Sequence, residues 1–141
     1  VVRAYAEVKD NIDSGQFKAI QVAACAGVAD RQLSDSIRDH YQARLRKIVH
    51  VLHDAGFDAT MPGGTFYLYV KAPGGAGNKV FKNAEEASQH LIRECLISTV
   101  PWDDAGAYLR FSATFESRGD TDDDRVVAEL GRRLAAARLK W

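Results

Sequence analysis

Apolar residues recur at steps of three and four through Leu33, Ile37, Tyr41, Leu45, Ile48, Leu52 and Ala55, which is the spacing of one buried helix face. The stripe predicts a long helix over residues 32–55, opened by Asp30 and stopped by Gly56 in the left-handed position that ends many helices. Arg38, Asp39, Arg44, Arg46 and Lys47 fall largely outside the stripe. Elsewhere the pattern changes. Residues 65–71, Thr-Phe-Tyr-Leu-Tyr-Val-Lys, are aromatic and β-branched and predict a central strand, apolar on both sides. Shorter strands are expected over 58–61, 97–100 and 108–114. In the last of these, Leu109, Phe111, Ala113 and Phe115 share one face, and Tyr108, Arg110, Ser112 and Thr114 share the other, because side chains alternate along a strand.

Polar and small residues punctuate these runs. Residues 1–8 have helical composition with no cap ahead of them, and read as the tail of something longer. Residues 10–15 form a turn cluster, in which Asp13 or Ser14 is placed to cap a second helix over 16–28. Alanines 19, 23, 24 and 26 suit that helix to close packing. Residues 73–78 read as a mobile loop. Asn83 is placed to cap a helix over 84–95, with Glu85 and Glu86 at its positive end. A final helix over 123–139 begins behind Asp120, Thr121 and Asp122, with Val126, Val127, Leu130, Leu134, Ala137 and Leu139 on its buried side. The element order predicts an α/β, two-layer sandwich: a small, mostly antiparallel sheet covered by helices.

Composition narrows the function classes. The 141 residues carry 19 basic and 19 acidic side chains, so no general attraction to nucleic acid or to an anionic membrane is expected. No apolar run approaches the roughly 20 residues of a membrane span. Charge interrupts the N-terminal segment too early for a signal peptide. Cys25 and Cys95 make no disulfide framework and are expected as reduced, packed thiols, as suits a cytosolic protein. His50 and His53 stand one helical turn apart, but no cysteine or acid cluster joins them, so no metal site is expected. His40 and His90 read as boundary residues. Residues 120–124 lack the alternation and terminal glutamate of a calcium loop.

Arg110 stands apart. A guanidinium in the middle of a strand needs an anion, since burying a lone charge is costly. The residues alone leave two sources open: a neighbouring carboxylate, Asp103 or Asp104, or the carboxylate of a ligand.

Three segments carry a resemblance. They are residues 9–17 (Lys-Asp-Asn-Ile-Asp-Ser-Gly-Gln-Phe), 62–69 (Pro-Gly-Gly-Thr-Phe-Tyr-Leu-Tyr), and Val100-Pro101-Trp102 with residues 106–112 (Gly-Ala-Tyr-Leu-Arg-Phe-Ser). Together they resemble the C-terminal part of fold-type-I, aspartate-aminotransferase-type pyridoxal-phosphate aminotransferases, most of all the LL-diaminopimelate aminotransferase branch. The resemblance implies a C-terminal small domain over residues 30–141, preceded by the tail of a large pyridoxal-phosphate domain over 1–29. It implies that Arg110 grips the substrate α-carboxylate, and that Asn11 reaches towards the distal end of a long substrate in the neighbouring subunit. Gly63 and Gly64 would lie near the active-site mouth.

The same likeness puts the covalent lysine, the acid at the pyridine nitrogen and most phosphate ligands upstream. No catalytic or cofactor-binding residue is therefore expected in this chain, which should be inactive alone. The implied whole is a cytoplasmic, homodimeric enzyme of lysine biosynthesis acting on an amino acid and a 2-oxo acid. The alternative is a non-catalytic, aminotransferase-like ligand-binding domain of a transcription regulator.

Overall fold

The computed structural model describes residues 1–12 and 15–141. These fall into two compact units, Val1–Arg38 and Asp39–Trp141. The first contains α1 (Val2–Ile12) and α2 (Lys18–Ala29), and α3 (Arg31–Asp54) begins in it. Helix α1 runs through the residues expected to form a turn at 10–12. The capping role expected for Asp13 or Ser14 lies outside the described residues. Helix α2 starts later than expected, with Phe17 as its N-cap and no side-chain hydrogen bond to its first turn.

No described residue of the first unit is buried. Leu33 and Ile37 therefore remain 45% and 49% exposed, contrary to the stripe, because that unit has no buried core for them to enter. Cys25 is exposed rather than packed, and both cysteines are free. Asp30 does open α3: its Oδ1 accepts the backbone N–H groups of Gln32 at 3.0 Å and Leu33 at 3.2 Å. Gly56 ends the helical run at φ +92°, and a Cβ there would lie 2.5 Å from the Trp141 Nε1.

The second unit is built on β1 (Tyr67–Lys71), β5 (Tyr108–Ser112) and β4 (Val100–Trp102), all antiparallel, in the order β1-β5-β4. The strand expected at the centre, β1, is thus an edge, and β5 takes the centre. One face of this sheet is core. Leu68 and Val70 of β1 and Leu109 and Phe111 of β5 pack with Leu45, Ile48 and Leu52 of α3, with Ala84, Ala87 and Leu91 of α4 (Ala84–Cys95), and with Val127 and Leu134 of α5 (Asp120–Ala136). The expected two-layer α/β sandwich is the architecture observed.

Several boundaries differ from expectation. Residues 58–61 are not a strand, although Phe57 and Ala59 are buried. The run expected over 97–100 forms ladder bonds only from Val100 onward. The supposed mobile loop at 73–78 holds β2 (Gly75–Ala76), which pairs with β3 (Lys79–Val80) and with β6 (Leu139–Lys140) in a second antiparallel sheet. Gly75 is required there, since a Cβ would come within 2.4 Å of the Lys79 carbonyl oxygen. The last helix consequently stops at Ala136 to let residues 139–140 extend. Helix α4 is capped as expected, with the Asn83 side chain accepting the Glu86 N–H at 2.9 Å.

Candidate functional site on the open face of the sheet

The face of β1-β5-β4 opposite the core is set by strand alternation. In the register, Tyr69, Arg110 and Val100 form one row across the three strands, and Lys71, Tyr108 and Trp102 form the next. Tyr69 is 46% and Trp102 42% exposed, so this face is open within the chain. Diagonal neighbours make the contacts. Tyr69 stacks on Tyr108 with centroids 5.2 Å apart and meets Trp102 edge-on at 6.1 Å. Partial burial raises the Tyr69 phenol pKa; the Arg110 charge pulls it down, while Asp104 and Tyr108 push it up.

Arg110 lies at the centre of that face, half-buried, with its Cζ 4.3 Å from the centroid of the Tyr67 ring. No hydrogen bond or ion pair to its guanidinium occurs among the described residues. Of the two neighbouring carboxylates expected as possible partners, Asp104 forms no ion pair with Arg110 among the described residues, and Asp103 is occupied. Asp103 accepts the backbone N–H groups of Ala84 at 2.7 Å and Glu85 at 3.2 Å, and so serves as a second cap for α4. What remains at Arg110 is a planar cation with its N–H edges unclaimed, in a geometry suited to a carboxylate.

The other expected site residues are placed as follows. Asn11 sits in the last turn of α1, exposed, with its Nδ2 donating to the Glu7 carbonyl at 2.8 Å. It lies in the first unit and Arg110 in the second. Gly63 and Gly64 have open space around them, and the constraint falls on Thr65, whose φ of 71° is rare for a β-branched residue. Phe66 follows with its backbone oxygen accepting the Ala113 N–H at 2.9 Å, extending the ladder beyond β1.

A second arginine site was not anticipated. Arg44, assigned to the polar side of α3, is only 7% exposed, and Asp123 only 3%. Its Nε and Nη2 donate to the two Asp123 carboxylate oxygens, each at 2.9 Å. Nη1 donates to the carbonyls of Ala113 at 3.2 Å and Phe115 at 2.8 Å, and Nη2 also to the Ser117 Oγ at 2.6 Å. Ser117 donates in turn to Asp123. Burial alone would raise the Asp123 pKa, but hydrogen bonds from Arg44 and Ser117, with the charges of Arg44 and Lys47, hold it below its ordinary value. The sequence signal was faint: Asp123 looked like one more acid at a helix start.

Pyridoxal phosphate needs a lysine to carry it, an acid at its ring nitrogen and a cradle for its phosphate. Lys71 and Lys82 line a cavity of about 310 Å³ with Asn83 and Trp141, and no carboxylate lines it. Lys47 and Lys79 face Asp124 and Glu94 at 2.6 and 3.6 Å. The surroundings of these four lysines therefore do not fit that cofactor by themselves. Among them, no group of three metal-ligating side chains gathers, and no helix is long and apolar enough to cross a membrane. His90 keeps a buried Nδ1 with no hydrogen-bond partner; burial, then the Lys79 charge, lower its pKa, against a smaller upward pull from Glu94.

Solved structures share this fold. The substrate-bound BacF structure from Bacillus subtilis superposes with a TM-score of 0.74 at 21% identity, over 99% of this chain and 34% of that one. An aminotransferase from Staphylococcus aureus gives a TM-score of 0.75 at 18% identity, over 96% of this chain and 35% of that one. No family model matches the chain. Sequence relatives are closer. LL-diaminopimelate aminotransferase of Methanocaldococcus jannaschii is 47% identical over 149 residues, covering 100% of this chain and 36% of the relative. The enzyme of that name from Methanococcus maripaludis is 51% identical over 140 residues, covering 95% of this chain and 34% of the relative. Over its whole length the chain is homologous to proteins named LL-diaminopimelate aminotransferase, of whose length it spans about a third.

Proposed function

We propose that residues 30–141 are the C-terminal, substrate-carboxylate-binding domain of a pyridoxal-phosphate aminotransferase, and that residues 1–29 belong to the tail of its large domain. The complete enzyme moves an amino group between an amino acid and a 2-oxo acid. LL-diaminopimelate is the amino acid that the names of the relatives favour. This makes the enzyme a step of lysine biosynthesis in the cytoplasm, working as a homodimer, with the cofactor held by residues outside this chain. Alone, the chain is inactive. Asn11 contributes to the distal end of the substrate.

The observation that carries the reading is the guanidinium of Arg110: it lies on an open sheet face, over an aromatic ring, with no protein anion paired to it among the described residues. Its role is to fix the substrate's α-carboxylate so that the amino group faces the cofactor. Orientation of that kind contributes to rate as well as to affinity.

The test is Arg110→Ala in the complete enzyme. Loss of a charge-assisted contact of about 1.5–3 kcal/mol lowers kcat/KM for amino acids by roughly tenfold to 150-fold. Arg110→Lys keeps the charge without the fork and recovers part of the loss. An amine lacking the α-carboxylate is affected much less. Equal losses for carboxylated and decarboxylated substrates would overturn the reading.

A further inference from the structure

We infer that Tyr67 is a positioning residue for Arg110: its ring fixes the plane of the guanidinium, and thereby the plane in which a substrate carboxylate must lie. The inference rests on the reading of Arg110 given above and adds a specificity element to it.

An arginine head with no in-plane partner is free to sweep through many rotamers, which dilutes its affinity for a carboxylate. At Arg110 the restraint comes from below. The Cζ stands 4.3 Å from the Tyr67 centroid, within the range of a cation–π contact. In its parallel form such a contact uses the flat face of the guanidinium, whereas hydrogen bonds to a carboxylate use its edges. The two do not compete, so a stacked arginine is held and available together. An ion pair with Asp103 would have held it and used it up.

The shelf itself is braced. Tyr67 meets Phe66 at 4.4 Å between centroids, and Phe66 meets Tyr41 of α3 at 5.4 Å. Consecutive strand residues normally point to opposite faces. Phe66 and Tyr67 approach because Phe66 precedes β1 and follows the left-handed Thr65. Backbone strain at such a residue persists where the surroundings over-determine it. Here those surroundings are the run of rings from α3 to Arg110. The Tyr67 hydroxyl takes no part in any hydrogen bond among the described residues, so the useful part of the side chain is the ring.

The experiment compares Tyr67→Leu, Tyr67→Phe and Arg110→Ala in the complete enzyme, with amino-acid substrates and with an amine lacking the α-carboxylate. Tyr67→Leu should raise KM for amino acids by about threefold to thirtyfold, the value of a cation–π contact, with a smaller change in kcat. Tyr67→Phe, which keeps the ring, should restore most of that loss. The amine should respond little to either. If Arg110→Ala is selective for carboxylated substrates but Tyr67→Leu leaves their KM unchanged, the shelf is refuted while the reading of Arg110 stands. If Arg110→Ala is unselective, that reading fails first. If Tyr67→Phe is as damaging as Tyr67→Leu, the hydroxyl matters and the ring does not.

A second readout does not need the leucine variant to fold. In this chain and in Tyr67→Phe, the Arg110 Nε–H proton resonance should lie upfield of those of arginines with no ring beneath them. An unshifted resonance would overturn the stacking.

Discussion

Arg44 and Arg110 each hold a guanidinium carbon 4.3 Å from an aromatic centroid, Phe115 in one case and Tyr67 in the other. The ring contact does not distinguish them. The edges do. Every N–H of Arg44 finds an acceptor: two carboxylate oxygens, two carbonyls and one hydroxyl. The edges of Arg110 meet none among the described residues. Arg44 ties α3 to the start of α5 and to the segment after β5, so its role is complete within the unit. Arg110 sits on a face where nothing in the unit completes it. An arginine built into a fold and one held ready for a ligand are told apart by their in-plane partners.

The largest effect that separates the two is on stability. Arg44→Ala should destabilise the chain by about 3–5 kcal/mol, because it leaves the Asp123 charge buried and unpaired. Arg110→Ala removes no protein hydrogen bond, only the contact with the Tyr67 ring, and should change stability by about 1 kcal/mol or less. Urea unfolding of the two variants checks this. A destabilisation by Arg110→Ala comparable to that of Arg44→Ala would break the comparison, since it would make Arg110 a structural ion pair.

A smaller effect appears in the pH dependence. The Asp123 pKa is depressed in the folded state, so the stability it contributes is present above its unfolded value of about 3.9. That stability is lost as the pH falls through the folded value. Glu129, held at about 2 mainly by hydrogen bonds from Arg132 and then Arg133, adds a second contribution with the same sign. The wild-type chain should therefore lose stability as the pH falls below about 4. In Arg44→Ala burial is opposed only by Ser117 and Lys47, so the Asp123 part of that slope should shrink or reverse while the Glu129 part remains. An unchanged slope would mean that Arg44 does not set the Asp123 pKa.

Much of the fold was legible because it is written in local periodicity. The stripe from Tyr41 to Ala55, the Asn83 cap and the alternation through Leu109 and Phe111 are each readable without tertiary context. What was not legible depends on partners far along the chain. Gly75 and Leu139 look like loop and helix residues until they pair with each other's neighbours. Thr65–Lys71 looked central because Tyr67 and Tyr69 are aromatic, although their rings line an open face. Leu33 and Ile37 fit the buried period yet find no core. Arg44 could not be told from Arg46 by pattern, since its acid, Asp123, is 79 residues away. At the site, alternation placed Arg110 on the polar face. The occupation of Asp103 by the first turn of α4 is a tertiary fact.

The most direct test of Arg110 as a ligand-ready cation uses both arginines at once. The Nε–H resonances of Arg110 and Arg44 are assigned with the two alanine variants, and the chain is titrated with a small monocarboxylate at constant ionic strength and pH. The Arg110 resonance should move progressively with carboxylate concentration, while that of Arg44 stays in place and remains protected from exchange with water. If Arg110 is as unresponsive and as protected as Arg44, its edges are already taken and it is not the carboxylate fork.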